Sequence, residues 1–126
     1  MIVGVGMDLV EIARIEGMLQ RSEQRVLERL FTEAEVAYAT ARARPAMHLA
    51  ARFAAKEAAF KALAGSEEAR LIGWKEIEVV PRANATPLLA FTGRAEARAA
   101  ELGVAQVWLT LTHTDTTAGA VCVLER

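Results

Sequence analysis

The spacing of apolar positions changes once along this chain, near Gly73, and separates a helical first half from a largely extended second half. At the start, Ile2 to Met7 is a short β-branched run interrupted by Gly4 and Gly6, which predicts a buried strand with close backbone neighbours. From Glu11 to Leu30 the residues Ile12, Ile15, Leu19, Val26, Leu27 and Leu30 recur at helical intervals, with a break predicted near Ser22. Thr32 can cap a second helix. Glu35 stands at the capping-box position, and Phe31 with Val36 makes a hydrophobic staple. Pro45 suits the first turn of a third helix that runs through Leu63 and stops near Gly65.

Beyond Gly73 the period is two. Trp74 to Val80 alternates and Pro81 ends the run, while Pro87 to Phe91 forms a second short strand. Thr92 to Leu102 reads as a helix closed by Gly103. Gln106–Thr112 and Thr117–Leu124 are two strands joined by a turn around Asp115, a hairpin pattern. The order β-α-α-α-β-β-α-β-β predicts an α+β fold, a mainly antiparallel sheet packed on a long central helix, as a single domain over residues 1–126. In this scheme Trp74 and Trp108 pack on the sheet, Cys122 is a small core residue and His48 an ordinary helix residue.

A chain of 126 residues can bury about two-thirds of its unfolded surface, so a core forms without disulfide or metal staples. Its single cysteine excludes an internal disulfide and a multi-thiolate zinc site. A formal charge of −1 argues against a nucleic-acid coat or a polybasic membrane anchor, both of which need a large cationic excess. No apolar run is long enough to span a bilayer, and Met1–Asp8 lacks a basic leader, so a cytoplasmic domain is predicted. The apolar fraction is 53% but aromatics only 6%, which directs attention to alanine.

Alanine is densest in Leu49–Leu63. Leu49, Phe53, Phe60 and Leu63 form one bulky stripe, alanines cover most of the rest, and no solvated face remains. Such a helix packs on more than one side, so its four charges, Arg52, Lys56, Glu57 and Lys61, need partners. Glu57 and Lys61 can pair at i, i+4, which leaves Arg52 and Lys56 as a cationic surplus suited to a phosphate. Asp8 fits a capping box with Glu11. Alternatively, Asp8 and Glu57 together suit Mg²⁺, which takes one or two carboxylates, waters and substrate phosphates. On the first helical segment, Arg14, Met18, Arg21 and Arg25 follow one stripe away from the apolar face. A solvated face accounts for such a stripe, and so does a docking surface for an acidic protein.

Four segments together carry a resemblance to a known family: Gly4-Val5-Gly6-Met7-Asp8-Leu9-Val10-Glu11-Ile12-Ala13-Arg14-Ile15, Phe31-Thr32-Glu33-Ala34-Glu35, Arg52-Phe53-Ala54-Ala55-Lys56-Glu57-Ala58-Ala59-Phe60-Lys61-Ala62-Leu63, and Leu111-Thr112-His113-Thr114-Asp115 with Val123-Leu124-Glu125. In order and spacing the chain resembles the holo-(acyl-carrier-protein) synthases, small bacterial 4′-phosphopantetheinyl transferases. The resemblance implies transfer of the 4′-phosphopantetheine of coenzyme A to a serine of apo acyl carrier protein, with Mg²⁺, in fatty acid biosynthesis. It further implies that Asp8 and Glu57 hold the metal, that Glu57 and Lys61 are catalytic, and that Lys61 contacts the pyrophosphate. Arg52, Lys56, Gly65, Pro87, His113 and Thr114 would line the coenzyme A site, and Arg14, Met18, Arg21 and Arg25 would dock the carrier protein. A homotrimer with sites between subunits is expected.

Two loops depart from the family pattern: Ala64-Gly65-Ser66 stands where a Gly-Thr-Gly turn is common, and Ala85-Thr86-Pro87 where Gly-Lys-Pro is common. Two other readings remain open. One is a non-catalytic adaptor for an acidic protein. The other is a different metal-dependent enzyme acting on nucleotide phosphates.

Overall fold

Alanine and glycine decide the centre of this molecule. In the computed structural model, which describes all 126 residues, helix α3 (Pro45–Leu63) lies along strand β1 (Ile2–Glu11). A Cβ on Gly6 or Gly4 would collide with the carbonyl oxygens of Ala58 and Ala62 respectively, so these two glycines set how closely helix and strand approach. Thirteen residues of α3 are buried, which agrees with the absence of a solvated face in the sequence.

Around this pair run α1 (Ile12–Leu30), α2 (Glu33–Thr40), single 3-10 turns at Glu68–Leu71 and Trp74–Glu76, β2 (Ile77–Arg82), β3 (Ala85–Phe91), α4 (Gly93–Leu102), β4 (Gln106–His113) and β5 (Thr117–Glu125). The strands are antiparallel throughout but form two sheets: β1-β5-β4, on which α3 packs, and the separate hairpin β2-β3. Several predicted details hold. The kink falls at Ser22, the Thr32–Glu35 capping box is formed, Pro45 opens α3, and Gly103 closes α4 with φ 73°. Cys122 is buried, and burial pushes its thiol up to about 12.

Four expectations are corrected. Asp8 is not a helix cap: β1 continues to Glu11, Asp8 pairs with Ala120 within the sheet, and α1 starts without a side-chain cap. Trp74 lies outside the strand, because its indole stacks on Phe53 (5.0 Å) and meets Phe60 edge-on (5.0 Å). Pro81 does not end β2 but sits at an irregularity in the pairing between Val80 and Arg82, where its missing N–H is tolerated. Trp108 is 54% exposed on the outer face of the larger sheet, and its Nε1 donates to Glu125.

The second anchor is a fully buried ion pair, Lys56 with Glu35, at 2.8 Å. Lys56 also donates to the carbonyls of Trp74 and Ile77, while the Glu35 carboxylate accepts from the backbone N–H groups of Thr32 and Val79. One charge pair therefore joins α2, α3 and β2. Removing one partner of such a pair costs about 3–5 kcal/mol, because it strands the other charge. Glu35→Ala is expected to lower unfolding stability by about that amount in urea denaturation, and Glu35→Leu combined with Lys56→Met to recover most of it.

Candidate functional site

The close packing of α3 on β1 brings Asp8 beside Glu57 and Lys61. Lys61 Nζ donates to Asp8 Oδ1 at 3.1 Å and to the Met7 carbonyl at 2.9 Å. The i, i+4 pair between Glu57 and Lys61 is not formed. Lys61 reaches across to the strand instead, and Glu57, half-buried, has no salt-bridge partner. Burial and then the nearby Asp8 charge push the Glu57 carboxyl above its ordinary range, with Lys61 and Arg14 opposing. Two carboxylates converge here and no third His, Cys, Asp or Glu joins them. Such a pair fits Mg²⁺, which commonly completes its shell with water and phosphate oxygens.

Gly65 lies just beyond α3, with φ +116°, in the wall of a cleft of about 800 Å³ that also includes Phe60, Ala64, Ser66, Arg70 and Trp74. Arg52, Pro87 and His113 meet elsewhere, around a smaller cavity of about 190 Å³ that Tyr38, His48 and Arg82 complete. No carboxylate lines this cavity. The Tyr38 ring is flanked by the guanidiniums of Arg42 (3.4 Å) and Arg52 (3.9 Å). Arg52 is 3% exposed and its buried Nε has no hydrogen-bond partner. Burial holds its pKa below the ordinary value. A buried cation with an unpartnered donor beside a cavity lined by no carboxylate is suited to an anion.

Two proposed contacts fare differently. Lys56 is corrected: its ammonium is buried and its protons go to Glu35, Trp74 and Ile77, so it is not available to coenzyme A. Thr114 is exposed, and its hydroxyl accepts from the N–H groups of Thr116 and Thr117, which shapes the β4–β5 turn. On α1, Arg14 and Arg21 are exposed, Met18 is half-buried, and none of Arg14, Arg21 and Arg25 is ion-paired. The Ser22 kink places Arg25 on a second segment, so the four do not form one straight stripe. Arg14 lies over Phe53 (5.3 Å) and acts on Glu57, which connects this surface to the carboxylate pair. Glu35, Tyr38 and Arg82 carry no signal of these site and support roles in the sequence, because only the packing of α2 and β2 on α3 gives them their partners.

The family model of the 4′-phosphopantetheinyl transferase superfamily matches residues 4–122. The chain belongs to that superfamily. It is 50% identical over 125 residues to a holo-(acyl-carrier-protein) synthase of Thermus thermophilus, covering 99% of this chain and 94% of the relative. Among solved structures, the holo-(acyl-carrier-protein) synthase of Neisseria meningitidis superposes with a TM-score of 0.87 at 27% identity, covering 100% of both chains. That of Bacillus anthracis, in complex with coenzyme A (3′,5′-ADP), gives a TM-score of 0.77 at 33% identity over 98% of this chain and 96% of that one. No helix of this superfamily member is long and apolar enough to cross a membrane.

The electrostatics of the carboxylate pair predict opposite responses. Without added metal, Asp8→Asn lowers the Glu57 pKa by removing a like charge, and Arg14→Ala raises it further. Carboxyl ¹³C NMR titration reads both directions.

Proposed function

We propose that this chain transfers the 4′-phosphopantetheine group of coenzyme A to a serine of an apo acyl carrier protein, releasing 3′,5′-ADP, in the cytoplasm and in fatty acid biosynthesis. The observation that carries the reading is the convergence of Asp8 with Glu57 and Lys61, from segments far apart in sequence, in a member of this superfamily. The serine oxygen attacks the phosphorus bound to pantetheine, and the bond from that phosphorus to the bridging oxygen breaks, so the nucleotide leaves. The serine proton passes to a base, a role open to Asp8 or Glu57. Lys61, half-exposed and held at Asp8, offsets charge on the pyrophosphate. Asp8 and Glu57 would hold a Mg²⁺ ion, which would supply further charge neutralisation of the phosphates.

The anion cavity around Arg52 and His113 fits the remaining phosphate of coenzyme A. Arg52 and Glu57 are five residues apart on α3, roughly 140° around its axis, so the two half-sites face different directions. One ligand uses both most simply where two copies of the chain meet, and the outer face of the larger sheet supports such assembly. Val5, Met7 and Leu9 are exposed there, beside Val123, Val121 and Gly119 in register, with Trp108 next in the row. A homotrimer with shared sites accounts for this apolar face and for the separated half-sites together. Arg14, which acts on Glu57, and Arg21 farther along α1 are both unpaired and suit the acidic surface of a carrier protein.

The test mixes the chain, coenzyme A, Mg²⁺ and apo carrier protein and weighs the carrier by mass spectrometry. The phosphopantetheine mass is expected to appear. Glu57→Gln should slow transfer by about 10²-fold or more while the fold survives, and Arg21→Glu should raise the carrier KM with kcat little changed. Carrier binding with no added mass under any divalent metal would leave an adaptor instead.

A further inference from the structure

His48 stands in none of the motifs that carry the family resemblance, yet it lines the cavity that holds Arg52 and His113. It lies one helical turn before Arg52 on α3, and the two are linked, since Arg52 Nη1 donates to the His48 carbonyl at 3.5 Å. Tyr38 of α2 meets the imidazole edge-on, with ring centroids 5.7 Å apart, which fixes the ring on that side. Every charged or titratable group acting on it is cationic or neutral. These are Arg42 and Arg44 from the α2–α3 connection, Arg52 on its own helix, His113 from β4, and Arg82 and Tyr38 in the cavity wall.

Resting on the coenzyme A reading above, we propose that His48 is a proton-coupled phosphate ligand: as a phosphate of coenzyme A enters this cavity, the imidazole takes a proton from solvent and holds a phosphate oxygen as imidazolium. The surroundings support the coupling. Burial first, then Arg52, Arg42, His113 and Arg44, hold the imidazole below its usual range, so the free protein carries it neutral near pH 7. A phosphate dianion in contact with the imidazole offsets part of the field of these cations and favours the imidazolium, which raises the pKa of the bound form. The bound pKa then exceeds the free one, and protons are taken up in the window between them. Affinity must therefore strengthen as pH falls through that window, by up to about tenfold per pH unit for one linked proton.

The experiment is calorimetric titration of coenzyme A into the whole chain across about pH 6 to 8, in buffers of different ionisation enthalpy. The proteins compared are the wild type, His48→Phe, His48→Gln and His113→Gln. The phosphate's own second ionisation, near 6, is common to all four and cancels in the comparison. Both His48 variants are expected to bind coenzyme A with a flatter pH dependence and less proton uptake, and His113→Gln, which removes one neighbour acting on the ring, to retain uptake that both His48 variants lose. Uptake unchanged in the His48 variants would overturn the proposal while leaving the coenzyme A reading intact. A wild-type chain that binds no coenzyme A would overturn that reading and the proposal with it. NMR titration of the His48 ring in the wild-type chain needs no substitution. Its pKa should rise on adding coenzyme A, and an unmoved value would overturn the proposal.

Discussion

The approach of α3 to β1 is the constraint on which the rest depends. A strand with side chains at positions 4 and 6 could not bring its backbone to the carbonyls of Ala58 and Ala62. Because it does, Asp8, two residues beyond Gly6 on the same face of the strand, comes level with Glu57 and Lys61. The site is a by-product of how closely a helix can lie on a sheet. Its precision comes from two rigid elements rather than from a loop, the arrangement that best holds charged groups in place.

The buried pair of Glu35 and Lys56 works on the same helix from the other side. A lysine inside an alanine-rich helix would be costly without a partner, and here it ties α3 to α2 and to β2 through one carboxylate and two carbonyls. That fixes the height and rotation of α3, and with them the directions of Arg52 and Glu57. It also separates the two kinds of cation on this helix. Lys56 is neutralised within the protein, whereas Arg52 is left with an open donor in a cavity without acids. The first is structural and the second is suited to a ligand, although both are buried cations on adjacent turns.

Much of the fold was legible in the sequence because its signals are local. Pro45 at the start of α3, the Thr32–Glu35 box and Gly103 after α4 each work within one or two turns of backbone, so a single chain segment specifies them. The expectations that failed depended on distant partners. Asp8 has the local pattern of a cap, but β5 extends β1 past it, and a sheet register outweighs a capping box. Trp74 continues a two-residue period, but its indole packs on Phe53 and Phe60 of α3, partners that its own segment does not reveal. Lys56 could be read as a surplus cation only because Glu35 lies twenty-one positions earlier, on another helix.

By itself, then, the sequence determined the element order, the density of alanine that makes α3 central, and the motif residues that place the chain in its family, since periodicity, composition and spacing are properties of the chain alone. Tertiary structure decided which charges are free. It gave Lys61 to Asp8 instead of Glu57, gave Lys56 to Glu35, and set Arg52, His48 and His113 around one cavity. The reason is physical: the energy of a charge depends on its solvent exposure and on neighbours a few ångströms away, and those neighbours come from segments whose separation in sequence carries no information about distance.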